Sequence, residues 1–116
     1  MGMYTKKTVY IAGPYSLGGK ASQEQSETYL KSMDMWGLYL WYLGYGPVHP
    51  IRNTVYVEQQ IAYKDMLRAD LRLVFQLDMI FMCPDWELSR GARIENRYAR
   101  LIGKPILYWN KKIPAP

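Results

Sequence analysis

The sequence is poor in the residues that build many reactive centres. It has one cysteine, Cys83, and one histidine, His49, in 116 residues. A single cysteine excludes an intramolecular disulfide and gives no thiolate metal cluster, and it fits a reducing interior. A single histidine argues against a histidine-rich zinc site and against a Ser-His-Asp triad. No apolar run approaches the roughly 20 residues that a membrane-spanning helix needs. The first residues, MGMYTKKTVYIAGPYS, hold too short an apolar stretch before Pro14 for a secretory signal. Lys6 stands where a myristoylation signal has Ser or Thr. The expectation is a cytoplasmic protein with no membrane role. There is no internal repeat and no low-complexity tract, and neither the dinucleotide fingerprint G-x-G-x-x-G nor the P-loop G-x-x-x-x-G-K-[ST] occurs.

What is present suits one globular domain over residues 1–116. The chain is 49% hydrophobic and 22% charged, enough apolar material for a proper core. Fifteen basic against ten acidic side chains give +5. That charge suits an anionic ligand, either a nucleic acid or a phosphorylated small molecule.

Hydrophobic patterning predicts alternating strands and helices. TVYIAG (8–13) reads as a buried strand ending at Gly-Pro, and PYSLGGKASQEQ (14–25) as a loop. Tyr29, Met33, Trp36, Leu40 and Leu43 then form one apolar helical face that Gly44 and Gly46 stop. YGPVHP (45–50) is a short strand whose prolines favour a sheet edge. Residues 54 to 76 read as helix, with a break near 65–68. DMIFMC (78–83) is a strand, 89–103 a helix ended by Gly103, and PILYW (105–109) the last strand, leaving NKKIPAP as a loose tail. This order predicts an α/β fold: a Rossmann- or flavodoxin-like three-layer sandwich with a parallel sheet of four to five strands and a core over 8–109. Ligands of such open sheets bind beyond the carboxyl ends of the strands. Loops 13–20 and 84–90 lie there.

Glu95 is the residue out of place. At 100° per residue, Gly91, Ala92, Ala99 and Ile102 fall within about 60° of it around the helix. Arg90, Arg93, Arg97 and Arg100 fall on the opposite side, so the arginines take solvent and the carboxylate points inward or at a cleft edge. An unpaired buried carboxylate costs several kcal/mol or takes up a proton. Glu95 is therefore either paired with a core tyrosine or backbone group, or poised at a site. Tyr10, in the first strand, is a candidate partner, since a buried phenol needs one.

Other residues carry two readings each. Ser89 suits a helix N-cap and equally a phosphate seat. Arg90 and Arg93 oppose the helix dipole at that end, which hints at a bound anion, although a solvated basic stripe explains them too. The loop containing Gly13, Ser16, Gly18 and Gly19 can bring backbone N–H groups to a phosphate or can be a plain turn. Asp78 opens a strand and reads as structural; Asp70 lies on the preceding helix and can reach the cleft. Trp86 either stacks on a base or caps the core, and His49 reads as a loop residue.

Taken in order, VYIAG with its Gly/Ser loop, Asp70, LDMIFM, S-R-G-A-R-I-E and A-R-L-I-G-K-P-I resemble the nucleoside 2-deoxyribosyltransferase superfamily, including its 2'-deoxynucleoside 5'-phosphate N-hydrolases. The resemblance spans residues 8 to 108 and is most specific at Ser89, Gly91 and Glu95, a Ser-x-Gly-x-x-x-Glu pattern. It implies that Glu95 is the nucleophile, Asp70 the acid assisting departure of the base, and Tyr10 the residue that orients the nucleophile. It further implies that Ser89 binds a 5'-phosphate, with Gly18 and Gly19 in the phosphate loop, one residue longer here than usual. The arginine usual in that loop is absent, and Arg90 or Arg93 stands in. The expected activity is cleavage or transfer of an N-glycosidic bond through a glycosyl-Glu95 intermediate, with no cofactor and no metal. That chemistry calls for an ionised Glu95 and a protonated neighbour, so the cleft should hold their pKa values apart. Relatives of this kind commonly form dimers, so a homodimer or higher homo-oligomer is expected. The alternatives are a non-catalytic nucleotide-binding protein using the same cleft and a basic nucleic-acid-binding module; no basic tail or RNA-binding motif supports the latter.

Overall fold

The computed structural model describes residues 6–55 and 60–116. Four strands, β1 (Thr8–Ala12), β2 (Gly46–Val48), β3 (Met79–Met82) and β4 (Ile106–Tyr108), form one parallel sheet in the order β2-β1-β3-β4. The helices are α1 (Gln23–Leu43), α2 (Ile51–Thr54), α3 (Tyr63–Gln76) and α4 (Arg90–Leu101), with one 3₁₀ turn at Trp86–Leu88 before α4. This is the expected α/β sandwich with a Rossmann- or flavodoxin-like sheet, and β2 takes the edge that its prolines favour.

The layering follows from the two-residue period of the strands. Val9, Ile11, Met79, Phe81 and Cys83 point to one face, where Leu30, Met33 and Leu40 of α1 cover them together with Tyr45. Tyr10, Ala12, Ile80 and Met82 point to the other face, under Val74 of α3 and Ala92 and Ala99 of α4. Small residues on α4 let that helix lie close to the sheet, so a side chain in its middle comes within reach of β1.

Local signals set most boundaries. The Ser22 hydroxyl accepts from the Gln25 N–H at 3.0 Å and starts α1. Gly44, at φ 104°, ends it, its N–H reaching the Leu40 and Trp41 carbonyls. Asp78 is structural, as its position implies: its Oδ2 accepts from the Thr8 N–H at 2.7 Å and the Thr8 hydroxyl at 3.1 Å, tying the start of β3 to the start of β1.

Three expectations are corrected. Of the helix read over 54–76, α3 takes 63–76, unbroken at 65–68, while Thr54 ends the short α2 and 56–59 lie outside the described residues. No side chain caps α3, whose first turn follows an extended Ala62, so the sequence carries no start signal there. The tail is not loose. The Tyr45 hydroxyl donates to the Pro114 carbonyl at 2.5 Å, and Ile113 packs on the core. Ile102 leaves the buried face of the last helix, 38% exposed, because α4 ends at Leu101 and the chain turns away.

Candidate active site

In the order β2-β1-β3-β4 the connection from β1 leaves to one side and the chain then returns to place β3 on the other. The crevice of such a sheet opens between the carboxyl ends of β1 and β3. Gly13-Pro14 and Cys83-Pro84 stand at those ends.

Below that edge, β1 turns Tyr10 toward the α3–α4 layer, and α4 turns Glu95 toward β1. The Tyr10 hydroxyl donates to Glu95 Oε2 at 2.6 Å, in the buried interior. Glu95 is 6% exposed. Asp70 is half-buried on α3, and its charge raises both the Tyr10 phenol and the Glu95 carboxyl group. Neither carboxyl group has a cation as a salt-bridge partner among the described residues. Desolvation is the largest cause of the shift at each. It lifts Glu95 to about 8, Asp70 adding to the rise and the Tyr10 hydrogen bond opposing it. Asp70 rises to about 6. Burial and the two neighbouring carboxylates raise Tyr10 as well, so its phenol stays a donor. The two carboxyl groups are separated in acidity, as the expected chemistry requires, but in the opposite order: the more deeply buried Glu95 keeps the proton longer.

At the start of α4, Ser89 is the N-cap, its Oγ accepting from the Ala92 N–H at 3.2 Å. Arg93 donates to the Glu87 carbonyl at 2.8 Å, which commits it to holding the 3₁₀ turn. Arg90 lies 5.8 Å over the ring of Tyr63, the first residue of α3. Gly91 is short of room: a Cβ there would stand 3.3 Å from the Tyr63 hydroxyl.

The glycine loop divides by role. Gly13 is a packing requirement, since a Cβ would meet Met33 Sδ at 2.9 Å and Cys83 Cβ at 3.0 Å. Gly18 and Gly19 adopt φ of 69° and 85° in an exposed turn. The N–H groups of Gly19 and Ala21 bond the Ser16 carbonyl, and that of Lys20 bonds the Leu17 carbonyl. Three amides of the loop are thus already engaged. Trp86 sits half-buried against the α3–α4 side of the core, 6.2 Å from the ring of Tyr108, which matches its reading as a core cap.

Sequence reasoning missed two features. Tyr63 precedes Asp70 by seven residues, two turns on one helical face, and that spacing was the available signal. His49 is no plain loop residue: its Nδ1 contacts Asp34 Oδ1 at 3.0 Å, and Arg52 also engages that carboxylate. The His49 Nε2 is buried without a partner among the described residues. Asp34 lies on α1, far away in sequence, and nothing local announces the pair.

Among the described residues no three His, Cys, Asp or Glu side chains gather as a metal site, and no helix is long and apolar enough to cross a membrane. A groove of about 730 Å³ lies elsewhere, between α1 and the residues after β4. A second, of about 430 Å³, lies on the outside of α3 and α4. Neither is lined by Glu95. In the carboxyl cluster Glu95 is buried and Asp70 half-buried.

No curated protein matches the chain. A family model matches residues 7–108, almost the whole of the described fold, and the chain belongs to that family, a domain of unknown function (DUF4406).

Proposed function

We propose that the protein cleaves or transfers the N-glycosidic bond of a nucleoside 5'-monophosphate or nucleoside, with Glu95 as nucleophile, Asp70 as acid and Tyr10 as the group that holds Glu95 in place. The observation that carries this reading is the cluster itself. A glutamate in the middle of a helix is buried on a phenol donor and beside a second carboxyl group, with no cation among the described residues to make the arrangement an ordinary ion pair. A pair of neighbouring carboxyl groups, one as nucleophile and one as acid, is what displacement at an anomeric carbon uses.

In the first step a Glu95 oxygen bonds the anomeric carbon as the carbon–nitrogen bond to the base breaks, and the proton on Asp70 passes to the departing base. Water, or a second base, then attacks the same carbon, gives up its proton to Asp70 and releases the Glu95 carboxylate. The pair holds one proton between pH about 6 and about 8, and at rest it sits on Glu95. Moving it to Asp70 ionises the more deeply buried carboxyl group, so the transfer is uphill at rest. Positive charge developing on the sugar beside Glu95 favours that transfer, because it stabilises the ionised carboxylate. Ser89, with Arg90 beside it, is the proposed seat of the 5'-phosphate. The outer face of α1 is proposed to join two copies into a homodimer.

A second reading has its own support. A protonated Glu95 is a hydrogen-bond donor, so the same cleft can bind a nucleotide without cleaving it. Incubation with a panel of ribo- and deoxyribonucleoside monophosphates, followed by chromatography for free base, separates the two. The expected result is base release by the native chain and at least a hundredfold loss in Glu95→Gln, in the range of a lost catalytic group. Binding by both chains with no base released by either establishes the second reading and overturns the first.

A further inference from the structure

The α3–α4 seam places its functional side chains in two levels. Asp70 and Glu95 form the inner level. Tyr63, seven residues before Asp70, and Gly91, four before Glu95, share their respective helical faces and form the outer level, at the helix starts. Four residues of helix rise about 6 Å, roughly the width of a furanose with its exocyclic carbon. At this outer level the Tyr63 hydroxyl reaches over Gly91, in the space that any larger residue would fill. Ser89 Oγ lies near the same point, 3.9 Å from the position of that absent Cβ. The Tyr63 side chain is half-exposed, and its hydroxyl makes no hydrogen bond to another described residue. The Arg90 guanidinium lies over its ring and limits where the phenol can point. Burial raises the Tyr63 phenol, and the charges of Glu95 and Asp70 add to the rise, so it stays a donor.

A phenol without a hydrogen-bond partner among the described residues, over a glycine that makes room for it and beside Ser89, is a ligand contact in search of its ligand. The geometry points to Tyr63 as a specificity-determining residue that donates its hydroxyl to the 5'-phosphate of the nucleotide, one level out from the sugar carbon facing Glu95. This inference rests on the glycosidic reading proposed above and on Ser89 as the phosphate seat. It adds a side chain that the S-x-G-x-x-x-E pattern does not contain, and it gives Gly91 a reason: the Cβ it lacks would push the phenol away.

The test compares the native chain with Tyr63→Phe by calorimetric titration of a nucleoside 5'-monophosphate and of the matching nucleoside. The expected result is that the preference for the monophosphate over the nucleoside falls about tenfold in the Phe variant, the size of one hydrogen bond to a charged group. The hydroxyl has no hydrogen-bond partner among the described residues, so the variant should unfold at the native temperature, and a fold defect does not obscure the comparison. An unchanged preference, or equal weakening of both ligands, overturns the role of Tyr63 and leaves the glycosidic reading standing. Failure of the native chain to bind or cleave any member of the panel overturns both.

Discussion

At pH 7 the Glu95 carboxyl keeps its proton in the folded chain, because burial raises it to about 8 from an ordinary value of 4.5. A carboxyl group raised on folding contributes stability that is fully present below its unfolded value and is lost as pH rises through the folded one. The native chain should therefore weaken steadily between pH 4.5 and 8. At pH 7 the cost is of order 3 kcal/mol, from about 1.4 kcal/mol per pKa unit. Glu95→Gln keeps an acceptor for Tyr10 and has nothing to ionise. In urea titrations the Gln variant should match the native chain near pH 4 and exceed it by a few kcal/mol at pH 8. A constant difference across that range would show that the native carboxyl is not held protonated by the fold. The inward direction of Glu95 was legible in the sequence from helix phase alone, as was Tyr10 as its partner. The order of the two acidities was not. It depends on how deeply each group is covered, and Asp70 and Glu95 differ there because one lies in the middle of the small-residue face of α4 and the other at a half-open helix edge.

Elements were legible where a residue type forces the backbone. Gly44 and Gly103 both close helices at positive φ, and Ser89 caps the start of α4, whereas α1 begins at Gln23 behind its Ser22 cap, inside the stretch 14–25 read as loop. The start of α3 was not legible, because Ala62 offers no side-chain cap and the break before Tyr63 leaves no proline or glycine behind it. The docking of the tail was hidden for a different reason: it depends on one long-range bond from Tyr45, and a polar stretch with two prolines gives no periodicity to read. Gly44 joins these two themes. At φ 104° it favours glycine, and a Cβ there would stand 3.3 Å from Pro116 Cγ. Gly44→Ala should lower unfolding stability by about 1–2 kcal/mol, from left-handed strain and displacement of the tail. Gly44→Asn should cost less, since Asn tolerates that backbone region, while meeting the same proline. Chemical denaturation of both variants checks the order; equal losses would assign the effect to the proline contact rather than to the backbone.

Across the whole molecule, α1 is the helix that its own fold does not finish. Its inner stripe, Leu30, Met33, Gly37 and Leu40, covers the sheet. A second stripe at Met35, Leu38, Tyr39 and Tyr42 follows the same three-and-four spacing on the outside, and each of its residues is 46% exposed or more. A helix apolar on both sides belongs between two layers, and within one chain α1 has only one. The stripe carries no charge, so two copies related by a two-fold axis can lay it against itself without opposing like charges. The expected outcome is a dimer in light-scattering chromatography at micromolar concentration. Leu38→Glu with Tyr42→Glu should convert it to a monomer that unfolds as cooperatively as before, because neither side chain is part of either core cluster. A native chain that remains monomeric at high concentration would leave the outer stripe of α1 facing water and remove the case for a two-fold assembly. If instead the dimer forms, the carboxyl cluster sits on the opposite side of the sheet from the interface, since Tyr10 faces the α3–α4 layer and Glu95 belongs to it. Breaking the dimer should then leave the acidities of Glu95 and Asp70 where they are.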